Sequence, residues 1–555
     1  MTIIRVGILL DNMIMSAWAE KMLENIVKEE GVEIARVVKN IALAPKKSVF
    51  SKLVNFGNTF FILIWREIDR RLFSVKYNAF RKVDLSTILK DVPQINVVPA
   101  ENSLLDYLCQ SDIESIKQYG VTVFFQLGFK NLRGSILTVA PCGVWSFQHD
   151  DNLINRDGLG GFWEVLLGMP TTGSVLQVLN EEAGNGEVLY NSWSATDHYS
   201  IHRNLNKCYW KSISFMPRRL RELRRLGITT FMEKYAITKF DALFYKDYNF
   251  AKNNKSSSVV LIVKLAGRIV GRLLWRLQFR EQWMLLYNVS NNRKISQSIS
   301  GFSNLMPPTD RIWADPCVVE FEGQTAVFIE EMEFVNNIGY LSVIEFDLND
   351  NPILPPKKII QKPYHMSYPN VFESNDDLYM IPETQKNSTI ELYRCTKFPY
   401  DWEFVKNLME NVRAVDSTIF YHDKKYWLFA NMIENRGAST HDELFLFSSE
   451  TLLGQDWRSH PQNPIVSDAR CARPAGKIFQ YDGIWYRPAQ DCSDGYGKAI
   501  NFQRIDLINE DEYCETTVSR IDANWDKDIM RTHTFSHAGR FTFIDGLQKR
   551  SKYFN

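Results

Sequence analysis

The stretch that decides the fold is "ADPCVVEFEGQTAVFIEE", residues 314–331, in which a short polar pair, an apolar strand and a polar turn precede a second strand. The same plan returns in "SYPNVFESNDDLYMIPET" (367–384), "AVDSTIFYHDKKYWLFAN" (414–431), "ARPAGKIFQYDGIWYRPAQD" (472–491) and "THTFSHAGRFTFIDG" (532–546). A repeat of roughly 50 residues with several strands is typical of a β-propeller blade. The sequence therefore predicts an all-β five-bladed propeller over residues 281–555.

The repeats also predict where a functional site lies. Innermost strands converge on the propeller axis, so the first polar residue of each repeat is expected at one shared funnel; these residues are Asp315, Tyr368, Asp416, Arg473 and His533. The ends of the second strands add Glu331, Glu383, Arg487, Gln490 and Asp491. Glycoside chemistry needs two carboxyl groups, so Asp315, with Glu383 or Asp416, is the predicted catalytic pair. The remaining residues of the two sets are predicted to bind substrate. The alternative is that these side chains only bond backbone amides of turns.

The first 205 residues predict a Rossmann-like α/β domain. An apolar run at 3–10, a helical pattern at about 16–30 and a second strand, "VEIARVVKN", give a β-α-β rhythm; a helical insertion is expected at about 47–90. A further strand in "GSILTVAPCGVWSF" runs into Gln148, His149 and Asp150. In open α/β sheets, ligands bind beyond the carboxyl ends of the strands, which makes these three residues site candidates.

Residues 206–280 predict a basic helical connector. Arg268, Arg272, Arg276 and Arg280 recur every fourth residue beside apolar positions. One interpretation is a helix lying on an anionic membrane surface, and the other is a connector between domains with a solvated basic face.

Composition excludes several classes. Lys plus Arg and Asp plus Glu both number 65, so no global basic charge indicates nucleic acid. The eight cysteines form no CxxC pair, which argues against a zinc knuckle or disulfide scaffold and favours a reducing cytoplasm. No ligand spacing predicts a metal. The expected location is therefore cytoplasmic, with peripheral contact at the inner face of the membrane through the basic helices.

The C-terminal half resembles two groups of proteins in "WADPCVVEFEG", "SYPNVFES", "IPET", "VDSTIF" and "ARPAG". It is similar to the five-bladed propellers of glycoside hydrolase families 43 and 32, and to the N-terminal domain of plant glucosamine inositolphosphorylceramide transferases. The hydrolase resemblance implies that Asp315 is the base and Asp416 the modulating carboxylate. Where those hydrolases carry their proton donor, blade four has Arg473, which puts ordinary hydrolysis in doubt.

The N-terminal half resembles the formyltransferase family, whose members include methionyl-tRNA and sugar N-formyltransferases. The resemblance rests on "GVWSFQHDDNLINRDGLGGFWEVLLGMPTTGSVLQVLNEEAGNGEVL". It aligns His149 with the family histidine. His149 and Asp150 are therefore the predicted catalytic residues of this half, and Gln148 and Arg156 are predicted to bind substrate. Phe147 stands at the family Asn position and Gly184 at the Asp position, so two of the three catalytic groups differ.

These features together predict a multidomain transferase that acts on carbohydrate in the assembly of surface polysaccharide or glycolipid. Its substrate would be a carbohydrate or sugar nucleotide. The alternatives are a folate-dependent aminosugar N-formyltransferase using His149 and Asp150, a non-catalytic glycan-binding scaffold, and a glycoside hydrolase. The cofactor is correspondingly a formyl-folate or a nucleotide sugar.

Overall fold

The chain divides into two units. The computed structural model describes residues 3–42, 56–102, 105–129, 132–148, 161–181, 186–237, 258–290, 301–454, 456–524 and 528–553. One unit, here the α/β unit, contains 1–268 and Glu434–Ala438; the other, the propeller unit, contains 269–433 and 439–555. The predicted boundaries at 205 and 280 differ from this division.

The α/β unit is built on a seven-stranded sheet. The described strands of the whole unit are β1 (Ile4–Leu10), β2 (Ile14–Ser16), β3 (Val32–Asn40), β4 (Lys82–Asp84), β5 (Gln94–Val97), β6 (Ala100–Asn102), β7 (Leu105–Tyr107), β8 (Val123–Gln126), β9 (Leu132–Arg133), β10 (Val144–Gln148), β11 (Thr171–Val178) and β12 (Glu187–Ala195). Of these, β2 pairs with β4, and β6, β7 and β9 form a separate three-stranded sheet. The sheet order is β12-β11-β10-β8-β1-β3-β5. Strands β10, β8, β1, β3 and β5 are parallel, and β11 and β12 continue the sheet antiparallel. The predicted parallel core is therefore present, with two antiparallel strands at one edge.

Helices pack around this sheet because their apolar residues recur at helical spacing. The helices are α1 (Ala17–Val27), α2 (Phe56–Leu72), α3 (Gln110–Lys117), α4 (Phe162–Leu167), α5 (Ile201–Ser212), α6 (Phe215–Leu226), α7 (Ile228–Ile237) and α8 (Ser258–Gln278). In α1, Ala19, Met22, Leu23 and Ile26 are buried, at the i, i+3, i+4, i+7 spacing of one face. This face joins the core formed by β1 and β8. In the part of the chain that the model describes, no helix is both long and apolar enough to cross a membrane.

The propeller unit contains five blades, which confirms the prediction from the repeats. Blade one is β15 (Arg311–Phe321), β16 (Gln324–Glu333), β17 (Tyr340–Phe346) and β18 (Pro352–Ile360); blade two is β19 (Ser367–Ser374), β20 (Asp377–Glu383), β21 (Thr389–Lys397) and β22 (Asp401–Glu410). Blade three is β23 (Ala414–His422), β24 (Lys425–Met432), β25 (Leu444–Ser449) and β26 (Arg458–Ser459); blade four is β27 (Phe479–Tyr481), β28 (Ile484–Asp491), β29 (Ala499–Ile508) and β30 (Tyr513–Asp522). Blade five combines β13 (Phe279–Val289) and β14 (Ser303–Leu305) with β31 (Ile529–Arg531), β32 (Phe535–Ala538) and β33 (Phe541–Ser551).

Two devices fix the blades. Strand β13 pairs antiparallel with β33 from Phe279↔Ser551 to Val289↔Phe541, so strands from both ends of the unit close blade five. In blades one to four, a two-residue turn joins the first two strands. Both turn residues have positive φ: Glu322-Gly323, Asn375-Asp376, Asp423-Lys424 and Asp482-Gly483. Such type I′ turns match the twist of the strands and set their register, which decides which side chains reach the axis.

Candidate acid–base site on the propeller axis

Three innermost strands carry the same backbone irregularity next to the axis. Asp315, Tyr368 and Asp416 have φ of 53°, 44° and 50°, and the pairing of each strand with its neighbour shifts register at that residue. Left-handed backbone is costly for residues with a side chain, and such strain concentrates at functional sites. A bulge also re-aims the side chain that it carries. The bulges thus direct the predicted first polar residues of blades one, two and three.

Asp315 is held by partners from blades two and five. Its Oδ1 accepts hydrogen bonds from His533 Nε2 at 2.8 Å and from Thr534 Oγ1 at 3.0 Å, and its Oδ2 accepts one from the backbone N–H of Tyr368 at 3.1 Å. Burial opposes ionisation, but these hydrogen bonds and the charge of His533 hold the pKa of the Asp315 carboxyl below its usual range. Asp315 is therefore a buried carboxylate at neutral pH.

His533 lies between two carboxylates. Its Nδ1 is 3.0 Å from Asp545 Oδ2, and its ring contacts Trp283 and Tyr496 at centroid distances of 4.3 and 4.7 Å. Burial lowers the pKa of His533, yet Asp545 and Asp315 outweigh that effect and raise the pKa to about 10. Asp315, His533 and Asp545 offer ligand atoms within 4.8 Å of one another, close enough to share a cation. A metal would need the neutral imidazole, so it competes here with a tightly held proton.

This charge state predicts a pH dependence of stability. Folded His533 keeps its proton up to about pH 10, whereas unfolded His releases it near pH 6.5. The stabilisation is complete below pH 6.5 and is lost as pH rises through about 10, with a slope of up to about 1.4 kcal/mol per pH unit for one proton. We expect the Tm of His533→Gln to depend less on pH between 6.5 and 10 than that of the wild type. The control is His422→Gln. If the Tm of His533→Gln changed with pH in parallel with that of the wild type, His533 would not be the group with the raised pKa.

Asp416 and Arg473 form the other half of the site. Arg473 Nε donates to Asp416 Oδ2 at 2.6 Å and Nη2 donates to Oδ1 at 3.3 Å, while Gln490 Nε2 donates to the same Oδ2 at 2.8 Å. The guanidinium lies 4.7 Å from the ring centroid of Tyr496 and donates to His441 Nδ1 at 3.2 Å. The charges of Asp416 and Glu383 outweigh burial and raise the pKa of Arg473. The arginine is thus a fixed cation between blades.

Two further carboxyl groups face the site, and both have raised pKa values. Burial and the charges of Asp315 and Glu383 raise the pKa of Glu330 well above its usual range; burial and Asp416 do the same for Glu383, despite Arg473. Their side chains remain 10% and 11% exposed, so the site reaches solvent here. The axis cluster is defined as Asp315, Glu330, Glu383, Asp416, Arg473 and His533. It combines a carboxyl group of lowered pKa, Asp315, with two of raised pKa, Glu330 and Glu383, the separation of pKa values that acid–base catalysis uses.

The other predicted site residues are distributed as follows. The Tyr368 hydroxyl hydrogen-bonds Thr418 Oγ1 at 2.9 Å and accepts from Gly476 N at 2.8 Å, and Gln490 joins the axis cluster through Asp416. Arg487 instead pairs with Glu515 at 2.6 Å, and Asp491 with Arg520 at 2.7 Å. The structure does not bring these two to the axis cluster.

The prediction that Glu331 faces the axis needs a correction. Its Oε1 accepts from Arg311 at 2.9 Å and its Oε2 from Ser342 at 2.7 Å, so it supports blade one. Glu330, one residue earlier on β16, contacts His365 at 3.3 Å and faces the axis cluster. Side chains alternate along a strand, so a one-residue difference moves the carboxylate to the opposite side.

A further residue was missed in blade three. Glu330, Glu383 and Asn431 pair with the residues directly before the three bulges, at Ala314, Ser367 and Val415. Asn431 is fully buried, and its amide atoms have no hydrogen-bond partner among the described residues. An alignment of the repeats could have indicated this residue. Asn431 is the last residue of the third repeat, and Glu330 is the second-last residue of the first.

The α/β candidates fall largely outside the described residues. His149, Asp150 and Arg156 lie there. Gln148 ends β10, where its backbone pairs with Val175. Because β10 is parallel to β8, this end lies at the carboxyl edge of the parallel strands, as expected.

Fold and site together define a class: a five-bladed propeller with a buried acid–base cluster on its axis, in a chain that also has an α/β unit. Residues 314–536 match the family model described as "Glucosamine inositolphosphorylceramide transferase 1, N-terminal". The glucosamine inositolphosphorylceramide transferase 1 of Oryza sativa subsp. japonica is 36% identical over 162 residues, which is 29% of this chain and 22% of that protein. Its Arabidopsis thaliana counterpart is 37% identical over 161 residues, 29% and 21% of the two chains. The match thus spans about a fifth of the length of these curated relatives.

The similarity of this chain to solved structures is lower. The family 117 glycoside hydrolase Zg3597 of Zobellia galactanivorans is 10% identical, with a TM-score of 0.31, over 48% of this chain and 91% of that one. The glycinamide ribonucleotide transformylase 1 of Symbiobacterium toebii is 14% identical, with a TM-score of 0.26, over 41% of this chain and 88% of that one. Superpositions this weak establish no relationship.

Proposed function

We propose that this protein is a carbohydrate-active transferase that binds a sugar or sugar nucleotide at the axis cluster and acts in glycolipid or surface polysaccharide assembly. The observation that carries the proposal is the axis cluster itself, in which Asp315 bonds His533 at 2.8 Å and Glu383 lies 3.7 Å from Arg473. The pKa of Asp315 is lowered there, and the pKa values of Glu330 and Glu383 are raised. All six residues of the axis cluster lie inside the segment that matches the transferase family model. The proposed location is the cytoplasm, at the inner face of the membrane.

The charge states fit the demands of glycosyl transfer. A glycosidic bond breaks through a transition state with positive charge on the sugar ring, and the leaving oxygen gains negative charge or a proton. In the proposal, Glu383 gives its proton to the leaving oxygen as the old bond breaks, and the Asp315 carboxylate stabilises the positive charge on the ring. An acceptor hydroxyl then forms the new bond to the anomeric carbon and returns its proton to the Glu383 carboxylate. Arg473 lies beside Glu383, with Nη2 3.7 Å from Oε2, and orients an anionic or hydroxyl-rich group there.

Two alternatives use the same propeller differently. A glycan-binding scaffold would bind sugar at the axis cluster without turnover. A glycoside hydrolase would release free sugar; Arg473 stands in blade four where the resemblance to hydrolases would place an acid, so Glu330 or Glu383 would have to supply the proton.

Formyl transfer by the α/β unit is a third alternative. It is supported by the position of Gln148 at the carboxyl edge of the parallel strands. It predicts that a formyl-folate binds independently of the axis cluster.

A ligand-stabilisation screen tests the proposal. Purified protein is heated with sugar nucleotides, short glycans, glycolipid headgroups and folates. A ligand at a hundredfold excess over Kd stabilises the native state by about 2.7 kcal/mol. We expect a sugar or sugar nucleotide to raise the Tm of the wild type and of Asp491→Asn, whose carboxylate pairs with Arg520, but not of Asp315→Asn. A folate shift that survives in Asp315→Asn, without any sugar response, would refute the propeller site and favour formyl transfer.

A further inference from the structure

Helix α8 presents an apolar face to solvent. Val270, Leu273, Leu274 and Leu277 are 54%, 58%, 57% and 63% exposed. The spacing i, i+3, i+4, i+7 places them on one side of the helix. All four belong to the propeller unit. Single exposed leucines are ordinary, but a contiguous apolar patch on a helix marks an interaction surface.

Two of the three arginines of α8 are not part of the solvated face that the connector interpretation expects. Arg272 is paired with Glu281 at 2.7 Å, and Arg268 donates to the backbone oxygens of Val165 and Leu166. Both are half-buried. The amphipathic pattern is therefore inverted over this segment, with leucines outward and two arginines engaged by protein groups.

Basic residues that form no ion pair among the described residues nevertheless lie around the end of the apolar face. Arg276 is exposed and forms no ion pair among the described residues. Lys552 Nζ donates to the backbone oxygen of Arg276 at 2.6 Å, and its N–H donates to Gln278 at 3.0 Å, so the C-terminal strand lies against the helix end. Lys549 is exposed on β33 and lies 3.7 Å from the ring centroid of Phe279. The nearby carboxylate, Glu281, is already paired with Arg272.

We propose that this surface, formed by Val270, Leu273, Leu274, Leu277, Arg276, Lys549, Lys552 and Tyr553, docks the protein onto an anionic lipid bilayer. Leucines enter the boundary between headgroups and acyl chains, while lysine and arginine neutralise lipid phosphates and carboxylates. Tyr553, 73% exposed, adds an amphipathic ring of the kind that favours that boundary. The combination of apolar area and one sign of charge favours a lipid surface over a protein partner.

Helix α2 also exposes apolar side chains, but it differs from α8 in its local charge. Phe61, Ile64, Ile68 and Leu72 of α2 are also 40–67% exposed and lie along one side. There, however, Glu67 pairs with both Arg70 and Arg71 at 2.7 Å. The local charge is largely balanced, so α2 lacks the electrostatic attraction that α8 has.

Vesicle co-sedimentation with the full chain tests the docking surface. Vesicles contain either phosphatidylcholine alone or phosphatidylcholine with phosphatidylserine. We expect binding to the anionic vesicles at low salt, falling more than tenfold in Leu273→Ser/Leu274→Ser/Leu277→Ser. The charge variant Arg276→Glu/Lys549→Glu/Lys552→Glu should lose as much, because each basic residue contributes about fivefold near such a surface. The control Val335→Ser/Leu348→Ser removes two apolar side chains that are 90% and 103% exposed elsewhere on the propeller unit, and should bind normally.

The possible results distinguish a lipid bilayer from a second copy of the chain as the partner of this surface. The substituted side chains are exposed, and unchanged Tm values will show that the variants fold. Equal vesicle binding by all variants, or binding that ignores lipid charge, would overturn the proposal. A concentration-dependent dimer that is lost in the leucine variant, without vesicle binding by the wild type, would assign the surface to a second copy and also overturn it. The sugar response at the axis cluster is measured separately, so failure of one proposal leaves the other standing.

Discussion

Arg473→Met is expected to destabilise the propeller unit by about 3–5 kcal/mol. The guanidinium is 9% exposed and Asp416 is 2% exposed, and the two share a bidentate contact of 2.6 and 3.3 Å. Removing one partner of a buried ion pair leaves the other charge desolvated and uncompensated, which accounts for the size of the loss. For a unit of this size, the Tm should fall by roughly 10 °C.

The matched control is an exposed pair in blade two. Arg394 and Glu403 are 44% and 50% exposed, so Arg394→Met should cost less than about 1 kcal/mol. Adding Asp416→Asn to Arg473→Met should recover part of the stability, because the orphaned charge is removed. Thermal unfolding followed by tryptophan fluorescence measures all three. Equal losses for Arg473→Met and Arg394→Met would show that the buried pair does not hold the blades together.

Glu383→Gln is expected to lower the turnover of the proposed transfer about 10²–10⁴-fold, the range contributed by a positioned general acid. Glutamine keeps the shape and a hydrogen-bond donor but has no proton to give to a leaving oxygen. Because burial and Asp416 raise the pKa of Glu383, the wild-type acid keeps its proton to a higher pH than an ordinary glutamic acid and loses it as pH rises through that raised value. The rate should therefore fall on the alkaline side.

The pH profile distinguishes catalysis from support of the fold. In Glu383→Gln, the residual rate should lose the alkaline limb that the wild type shows, whereas a merely structural residue would lower the rate at every pH alike. The rate is measured by product formation from the sugar donor that stabilises the protein, with Asp491→Asn as the control variant. Retention of the wild-type rate and profile would remove Glu383 from the proposed mechanism.

The sequence predicted the five blades because each repeat carries its own turn and its own alternating strands. It also predicted that Asp315, Asp416, Arg473 and His533 meet near the axis, since they head their repeats. It placed the blade-one glutamate wrongly by one residue, at Glu331 instead of Glu330. Successive side chains of β16 point to opposite sides, so one of the two glutamates faces the axis and the other faces away. Which one faces the axis depends on the register set by the Glu322-Gly323 turn and the bulge at Asp315.

The pKa shifts of the carboxyl groups could not be predicted from the sequence, for a different reason. Glu383 and Asp315 are both carboxyl groups at blade positions facing the axis, yet burial and neighbours raise the pKa of one and lower that of the other. Those neighbours, Asp416 for Glu383 and His533 for Asp315, are distant along the chain. Likewise, the leucines of α8 were expected to lie beside a cationic stripe, but which side faces solvent depends on Glu281 and the C-terminal strand.

The measurement that tests the central claim most directly is calorimetric titration of the stabilising sugar or sugar nucleotide into Glu330→Gln and Glu331→Gln. The two residues are neighbours on β16, and both are buried. Glu330 belongs to the axis cluster, whereas Glu331 bonds Arg311 and Ser342. A loss of affinity of tenfold or more in Glu330→Gln, with wild-type affinity in Glu331→Gln, is the predicted result. Unchanged affinity in Glu330→Gln would place the sugar site away from the propeller axis and contradict the account.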